Sequence, residues 1–287
     1  MSIQSISGLD HVVYVVRDLD ASERIWESLG FTVSPRGLHP PHMGTANHTI
    51  MLAEDYIEIV GVLAPTDHNL KSREFLTNRG DGIERAAFTT IDADTSAADL
   101  RLRGLLAVGP LDFSRPVDLP GGRKSTASFR TVFWPANERP AGMRLFACQH
   151  LSRGTVWIPA LTRHPNTAVR LDRMEILSGD PRSAADHMSR LTDQPVETMT
   201  DGALLLRTGA DRADIIFLDH ETLTLRHPDV VLSGVPEEGC VTLAIAVADL
   251  TRAKSLLASR ATVTEPRAIK IAPAQANGVI LELKADD

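Results

Sequence analysis

Four stretches of the chain share one pattern: an apolar run, then an aspartate, then apolar positions at helical spacing. The first is Leu9-Asp10-His11-Val12-Val13-Tyr14-Val15-Val16-Arg17-Asp18. The last runs from Cys240 to Asp249 and aligns with it without a gap, Thr242 under His11 and Asp249 under Asp18. Between them, Arg85–Asp92 puts Arg85 under His11, and Arg173–Asp180 puts Arg173 there. Each run reads as a strand. Each aspartate reads as a helix cap, because a carboxylate there accepts bonds from the free N–H groups of the first turn. Leu19, Ile25, Trp26 and Leu29 then recur at helical spacing up to Gly30, as Ala253, Leu256 and Leu257 do after Asp249. Pro181 follows Asp180 at a first helical position.

Three short strand-like pieces follow each helix, which predicts four βαβββ modules near 8–63, 81–151, 168–219 and 239–285. In the fourth module the pieces are Thr262–Glu265, Ala268–Ile271 and Gly278–Leu283. The fold class is therefore α+β. The linker Ala64–Gly80 predicts a helix over His68–Thr77, while Leu151–Thr167 and Asp219–Glu238 are mixed and loop-rich.

Composition narrows the function classes. The chain has 287 residues, 43% hydrophobic and 23% charged, which is ordinary for a globular protein. A net charge of -7 leaves no basic footprint for nucleic acid or an anionic membrane. No apolar run reaches the roughly 18 residues of a membrane span, and the first residues carry no signal pattern. Cys148 and Cys240 stand far apart in apolar strand-like segments and read as small core residues. These features predict a soluble, cytoplasmic protein, and the even number of modules, which lets one chain form its own cups, allows a monomer or a homodimer.

Several residues carry candidate chemistry. His11 sits on an otherwise apolar strand. Glu58 lies within Tyr56-Ile57-Glu58-Ile59-Val60, where burial without a partner is costly. Arg85 also lies on an apolar strand. It reads either as a clamp for a carboxylate or phosphate, or as half of an ion pair with Glu58 or the neighbours of Glu84. His39, His42 and His48 share one Pro- and Gly-containing stretch, a place for a general acid or base, with His42 and His48 as the catalytic candidates. Asn47 and Thr45 beside them are candidates to orient substrate. Phe88, Phe133, Trp134 and Phe146 fall in the second module, and Trp134 and Phe146 are candidate walls of a ligand site. Pro120-Gly121-Gly122-Arg123-Lys124 reads as a basic turn, since it lacks the spacing of a phosphate loop.

The opening string Leu9–Leu19, with Tyr56-Ile57-Glu58-Ile59-Val60-Gly61 and Gly278-Val279-Ile280-Leu281-Glu282-Leu283, resembles the vicinal oxygen chelate superfamily. That group includes glyoxalases, fosfomycin-resistance proteins, epimerases and extradiol dioxygenases. His39-Pro40, Gly44-Thr45-Ala46-Asn47-His48 and Cys148-Gln149-His150 are similar to a glyoxalase-like branch of it. The resemblance implies that two modules curl into each cup-shaped mixed β-sheet, with flanking helices. It implies an N-terminal domain over 1–151 and a C-terminal one over 152–287. It also implies a divalent ion (Mn, Fe, Co, Ni or Zn) in the cup, held from first and fourth strands by His11 and Glu58.

The family pattern is incomplete here. Arg85 stands where a second histidine is expected and cannot be a ligand, and Phe146 stands near the second glutamate position. His150 is the first choice for a third ligand and His48 the second. Glu282 becomes an alternative if module one pairs with module four. The implied activity is a metal-dependent lyase or isomerase acting on a small substrate with vicinal oxygens. Two alternatives stand beside it: a metal-free protein that binds a small ligand or sequesters a drug, and an extradiol-type dioxygenase.

Overall fold

The computed structural model describes residues 3, 5–119, 122–260 and 263–286. Pro120 and Gly121 of the basic turn, and Thr262 at the head of a strand expected in module four, lie outside them.

Module one consists of β1 (Ile6–Val16), α1 (Leu19–Ser28), β2 (Gly37–Leu38), β3 (Thr45–Met51) and β4 (Tyr56–Val62). The linker helix α2 (Leu70–Arg79) leads into module two: β5 (Gly82–Thr90), α3 (Ala93–Leu102), β6 (Val108–Leu119), β7 (Arg123–Phe133) and β8 (Arg144–His150). Module three contains β9 (Ala168–Leu177), α4 (Pro181–Thr192), β10 (Val196–Thr198), β11 (Leu204–Leu206) and β12 (Asp214–Leu218). A short α5 (His220–Arg226) precedes module four: β13 (Gly239–Val247), α6 (Leu250–Leu257), β14 (Val263–Thr264), β15 (Ala268–Ile271) and β16 (Ile280–Ala285). The aspartates cap as their positions predict. Asp18, Asp92, Asp180 and Asp249 accept from the N–H groups of Ala21, Asp94 with Thr95, Ser183 and Arg252.

The strands form two eight-stranded mixed sheets, ordered β2-β3-β4-β1-β5-β8-β7-β6 and β10-β11-β12-β9-β13-β16-β15-β14. Antiparallel pairing of β1 with β5 joins module one to module two, and β9 with β13 joins three to four. The alternative pairing of module one with module four is not formed, so Glu282 cannot share a cup with His11. The registers carry the repeat through: His11 lies opposite Tyr56 and Val13 opposite Glu58, as Arg85 lies opposite Arg144 and Ala87 opposite Phe146. Thr242 and Ala244 face Ile280 and Glu282 in the same way. In the first sheet the edge strands β2 and β6 approach each other and nearly close it into a barrel.

Alternation along each strand divides the side chains. Val12, Tyr14, Ile57, Ile59, Ala86 and Phe88 belong to one continuous apolar core, which also includes Trp26, Leu100, Met188 and Leu257 from the helices and Met174, Ile176, Leu243 and Leu281 from the second sheet. The helices thus bind the two sheets together. Asn166 Nδ2 donates to Leu29 O, and Trp134 Nε1 to Leu191 O, across the halves. The opposite faces, lined by Val13, Tyr56, Val60, Phe129 and Phe146 in one cup and by Leu205, Ile216 and Val241 in the other, form separate clusters. Among the described residues no helix is long and apolar enough to cross a membrane.

Candidate functional site

Glu58 lies in the middle of the first cup, between Tyr56 and Val60 on the same face of β4. His11 reaches it from β1, with Nε2 3.9 Å from Oε2. His39, from the segment between β2 and β3, reaches the other oxygen, with Nε2 3.7 Å from Oε1. Asn47 Nδ2 donates to that same Oε1 at 2.7 Å. Both imidazoles are tied at the far nitrogen: His11 Nδ1 lies 2.6 Å from Asp10 Oδ2, and His39 Nδ1 lies 2.7 Å from Thr45 Oγ1. A carboxylate can only accept, so Nδ1 of His11 donates to Asp10 and Nε2 is the nitrogen turned toward Glu58. Burial holds His39 below the usual histidine range, despite the nearby Glu58 charge. Burial would raise Glu58, but the charges of His39, His11 and Arg85 bring it below the usual range. Two imidazole nitrogens and a carboxylate are a donor set that suits a divalent transition metal.

The Asp10–His11 contact departs from plain strand geometry. Neighbours on a strand point to opposite faces, yet the β1–β5 register slips between Leu9 and His11, leaving Asp10 as the extra residue of a bulge. Asp10 is 1% exposed and also accepts from His150 Nε2 at 2.9 Å and Thr89 Oγ1 at 3.1 Å. Burial alone would raise its carboxyl, but the two histidine bonds hold it well below the ordinary range. Asp10, Cys148 and His150 also place donor atoms within 4.8 Å of one another. Burial pushes the Cys148 thiol well up, which disfavours a thiolate there.

A second register slip, between Val13 and Tyr14, skips Glu84 on β5. Glu84, 3% exposed, accepts from Arg144 Nη1 at 2.7 Å and Ser72 Oγ at 2.9 Å, and lies 3.1 Å from Arg85 Nε. Arg85 therefore pairs with Glu84 itself, and not with Glu58. Both Arg85 and Arg115 of β6 act on the His39 charge. Tyr56 stacks on His11 at 4.1 Å between ring centroids, and Phe146 meets the His11 ring edge-on at 5.3 Å.

The residues singled out from the sequence separate into two groups. His11, Glu58, Asn47, Thr45, Arg85 and Phe146 come together around this cup. His150 lies against Trp157 and is bonded to Asp10, and its Nδ1 is buried without a hydrogen-bond partner. His42 is exposed on the turn before β3, beside His68. His48 points to the other face of β3, where Nδ1 bonds Ser34 O and Nε2 lies 3.7 Å from Glu23 of α1. Trp134 is also on the helix side, against Phe88. The alternation along β3 that aims Asn47 inward sends His48 outward. Asp10, Tyr56 and Arg115 were not singled out, and His39 was noted only as one of three loop histidines. A carboxylate next to His11 was the one available signal for Asp10.

The second cup is built on the same registers but has different contents. Arg173, in the position of His11, bonds Glu282 at 2.9 Å and Glu175 at 2.9 Å. Glu175, fully buried, also takes His227 Nε2 at 2.7 Å and Arg226 Nε at 3.1 Å. A guanidinium thus occupies the acidic centre, and Glu282 is committed to it. An open cavity of about 460 Å³ lies above this network.

The model of the glyoxalase-like domain family matches residues 9–192. Among solved structures, a hypothetical protein from Staphylococcus aureus is similar with a TM-score of 0.65 and 13% identity, over 97% of this chain and 99% of that one. A triple mutant of 4-hydroxymandelate synthase from Streptomyces coelicolor is similar with a TM-score of 0.62 and 16% identity, over 99% and 95% of the two chains. At such identities these likenesses show the shared fold alone. No curated protein matches the sequence. The family match spans the whole first cup and continues into α4, so the chain belongs to the glyoxalase-like domain family and, with it, to the vicinal oxygen chelate superfamily.

Proposed function

We propose that the first cup is the active site of a metal-dependent lyase or isomerase acting on a small substrate with two neighbouring oxygens. One observation carries this reading: His11 and His39 approach opposite oxygens of Glu58, each with its other ring nitrogen already bonded. In this reading His11, Glu58 and His39 hold the ion, and His150 serves Asp10 instead. A divalent ion bound there supplies Lewis-acid stabilisation of charge developing on a substrate oxygen. Asp10 and Thr45 hold the two rings by Nδ1 and aim their Nε2 atoms at Glu58. Asn47 holds one Glu58 oxygen. Tyr56, Phe146 and Phe129 exclude water from the floor. His42, exposed at the mouth, exchanges the proton with solvent.

Elemental analysis of protein purified without chelator or a nickel column tests this, for the wild type and for H11A, H39A and H150A. About one equivalent of metal, lost in H11A and H39A and kept in H150A, is the expected result. Loss in H150A with retention in H39A would move the site to Asp10, Cys148 and His150. No metal in the wild type, even after titration with Mn, Fe, Co, Ni or Zn, would leave a metal-free binding cup. The two-histidine, one-carboxylate composition also suits iron and oxygen chemistry. An extradiol-type dioxygenase is therefore the second reading, checked by oxygen uptake with iron(II) and a catechol.

A further inference from the structure

The Arg115 side chain makes no hydrogen bond or ion pair with any described residue, although it is half-buried and its charge acts on His39, Tyr56 and Glu58. A guanidinium withdrawn from water without a partner is costly. Its position is closely set. A Cβ added to Gly37 would lie 2.9 Å from Arg115 Nη1 and 2.5 Å from Asn47 Oδ1, so the absence of a side chain at Gly37 lets Arg115 fold in beside Asn47 from the opposite sheet edge. Arg85 is in a similar state. Its one ion pair runs from Nε to Glu84, 3.1 Å away, a carboxylate it shares with Arg144. Neither guanidinium has a carboxylate to itself, and both act on the His39 charge.

We propose that Arg85 and Arg115 form a receptor for a second anionic group on the substrate, so that the natural substrate is a dianionic 2-oxo or 2-hydroxy acid. This rests on the metal reading above for one end of the molecule: the vicinal oxygens meet the ion at Glu58 and the distal carboxylate meets the arginines. The charges agree. With neutral imidazoles, Asp10, Glu58 and Glu84 balance Arg85, Arg115 and Arg144, and a divalent ion then adds two positive charges, which a dianion neutralises. Guanidinium groups suit a carboxylate because their paired N–H donors match its two oxygens.

The test is calorimetric binding to the Mn²⁺-titrated protein. The probes are 2-oxoglutarate and 2-oxoadipate, each against the monoacid of equal chain length, 2-oxopentanoate and 2-oxohexanoate. In the wild type at least one diacid is expected to bind about ten-fold or more tightly than its monoacid. R115Q and R85Q are expected to erase that preference while monoacid binding stays within about two-fold. H11A separates the two readings. If it loses metal and monoacid binding but keeps a diacid preference that R115Q abolishes, the receptor stands as proposed. If the wild type binds neither monoacid nor metal but still takes the diacids, the metal reading fails and the arginine receptor stands. Absence of a diacid preference for either pair, or its persistence in both arginine variants, overturns the proposal. Circular dichroism of R115Q and R85Q separates lost binding from lost fold.

Discussion

Asp10 Oδ2 lies 2.6 Å from Nδ1 of its chain neighbour His11 and 2.9 Å from Nε2 of His150, so one buried carboxylate oxygen accepts from two imidazoles. Replacement by an amide removes the negative charge and leaves one acceptor oxygen for the three donors His11, His150 and Thr89. D10N is expected to weaken metal binding about 10- to 100-fold, the usual cost of losing a partner behind a ligand histidine. Competition titration against a chromophoric chelator measures it, with thermal denaturation as the folding control. Unchanged affinity would mean that the His11 orientation is set by its stacking on Tyr56.

His39 and His48 stand close in sequence and have opposite surroundings. H39A is expected to abolish metal binding with little change in stability, because its ring is held by Thr45 and Glu58 alone among the polar groups. H48A is expected to leave metal binding intact and to lower stability by about 1–3 kcal/mol, the cost of leaving a buried partner, here Ser34 O, unsatisfied. Urea denaturation with a metal titration reads both. Metal loss in H48A alone would reverse the assignment.

The second cup tests the idea that a guanidinium occupies the acidic centre. Arg173→Met would leave Glu175 and Glu282 facing each other without their shared cation. The expected destabilisation is about 3–5 kcal/mol, partly relieved in Arg173→Met/Glu282→Gln. Full stability of the single variant in urea would show that Arg226 and His227 suffice for Glu175.

Asp55 joins the halves, accepting the Leu171 N–H at 3.0 and 3.2 Å. Burial raises its carboxyl from 3.8 to about 7, against the pull of that bond. Because the folded value lies above the unfolded one, the folded state binds this proton more tightly. The contribution is complete below about pH 4 and is lost as pH rises through about 7. The melting temperature is expected to fall between about pH 4 and about pH 7, with a shallower slope in D55N. An identical slope in D55N would assign the effect to another group.

The modules and their order were legible along the chain because they rest on local physics, and His11 and Glu58 stood out there as polar residues on apolar strands. Apolar runs make strands, and aspartates cap helices at Asp18, Asp92, Asp180 and Asp249. The equal spacing of His11, Arg85, Arg173 and Thr242 from those caps identifies equivalent positions, which the registers repeat. Which donors meet in space was not legible, because that depends on register between distant strands. A bulge opposite Phe88 turns Asp10 to the side of His11, and another exposes Glu84 to Arg85 and Arg144. Alternation, read from one end of β3, then decides that Asn47 enters the cup and His48 leaves it. His150, the first choice for a third ligand along the chain, is instead bonded to Asp10 in the folded protein. Arg115 gave no signal along the chain, since its approach to Glu58 exists only where the two edges of the sheet come together.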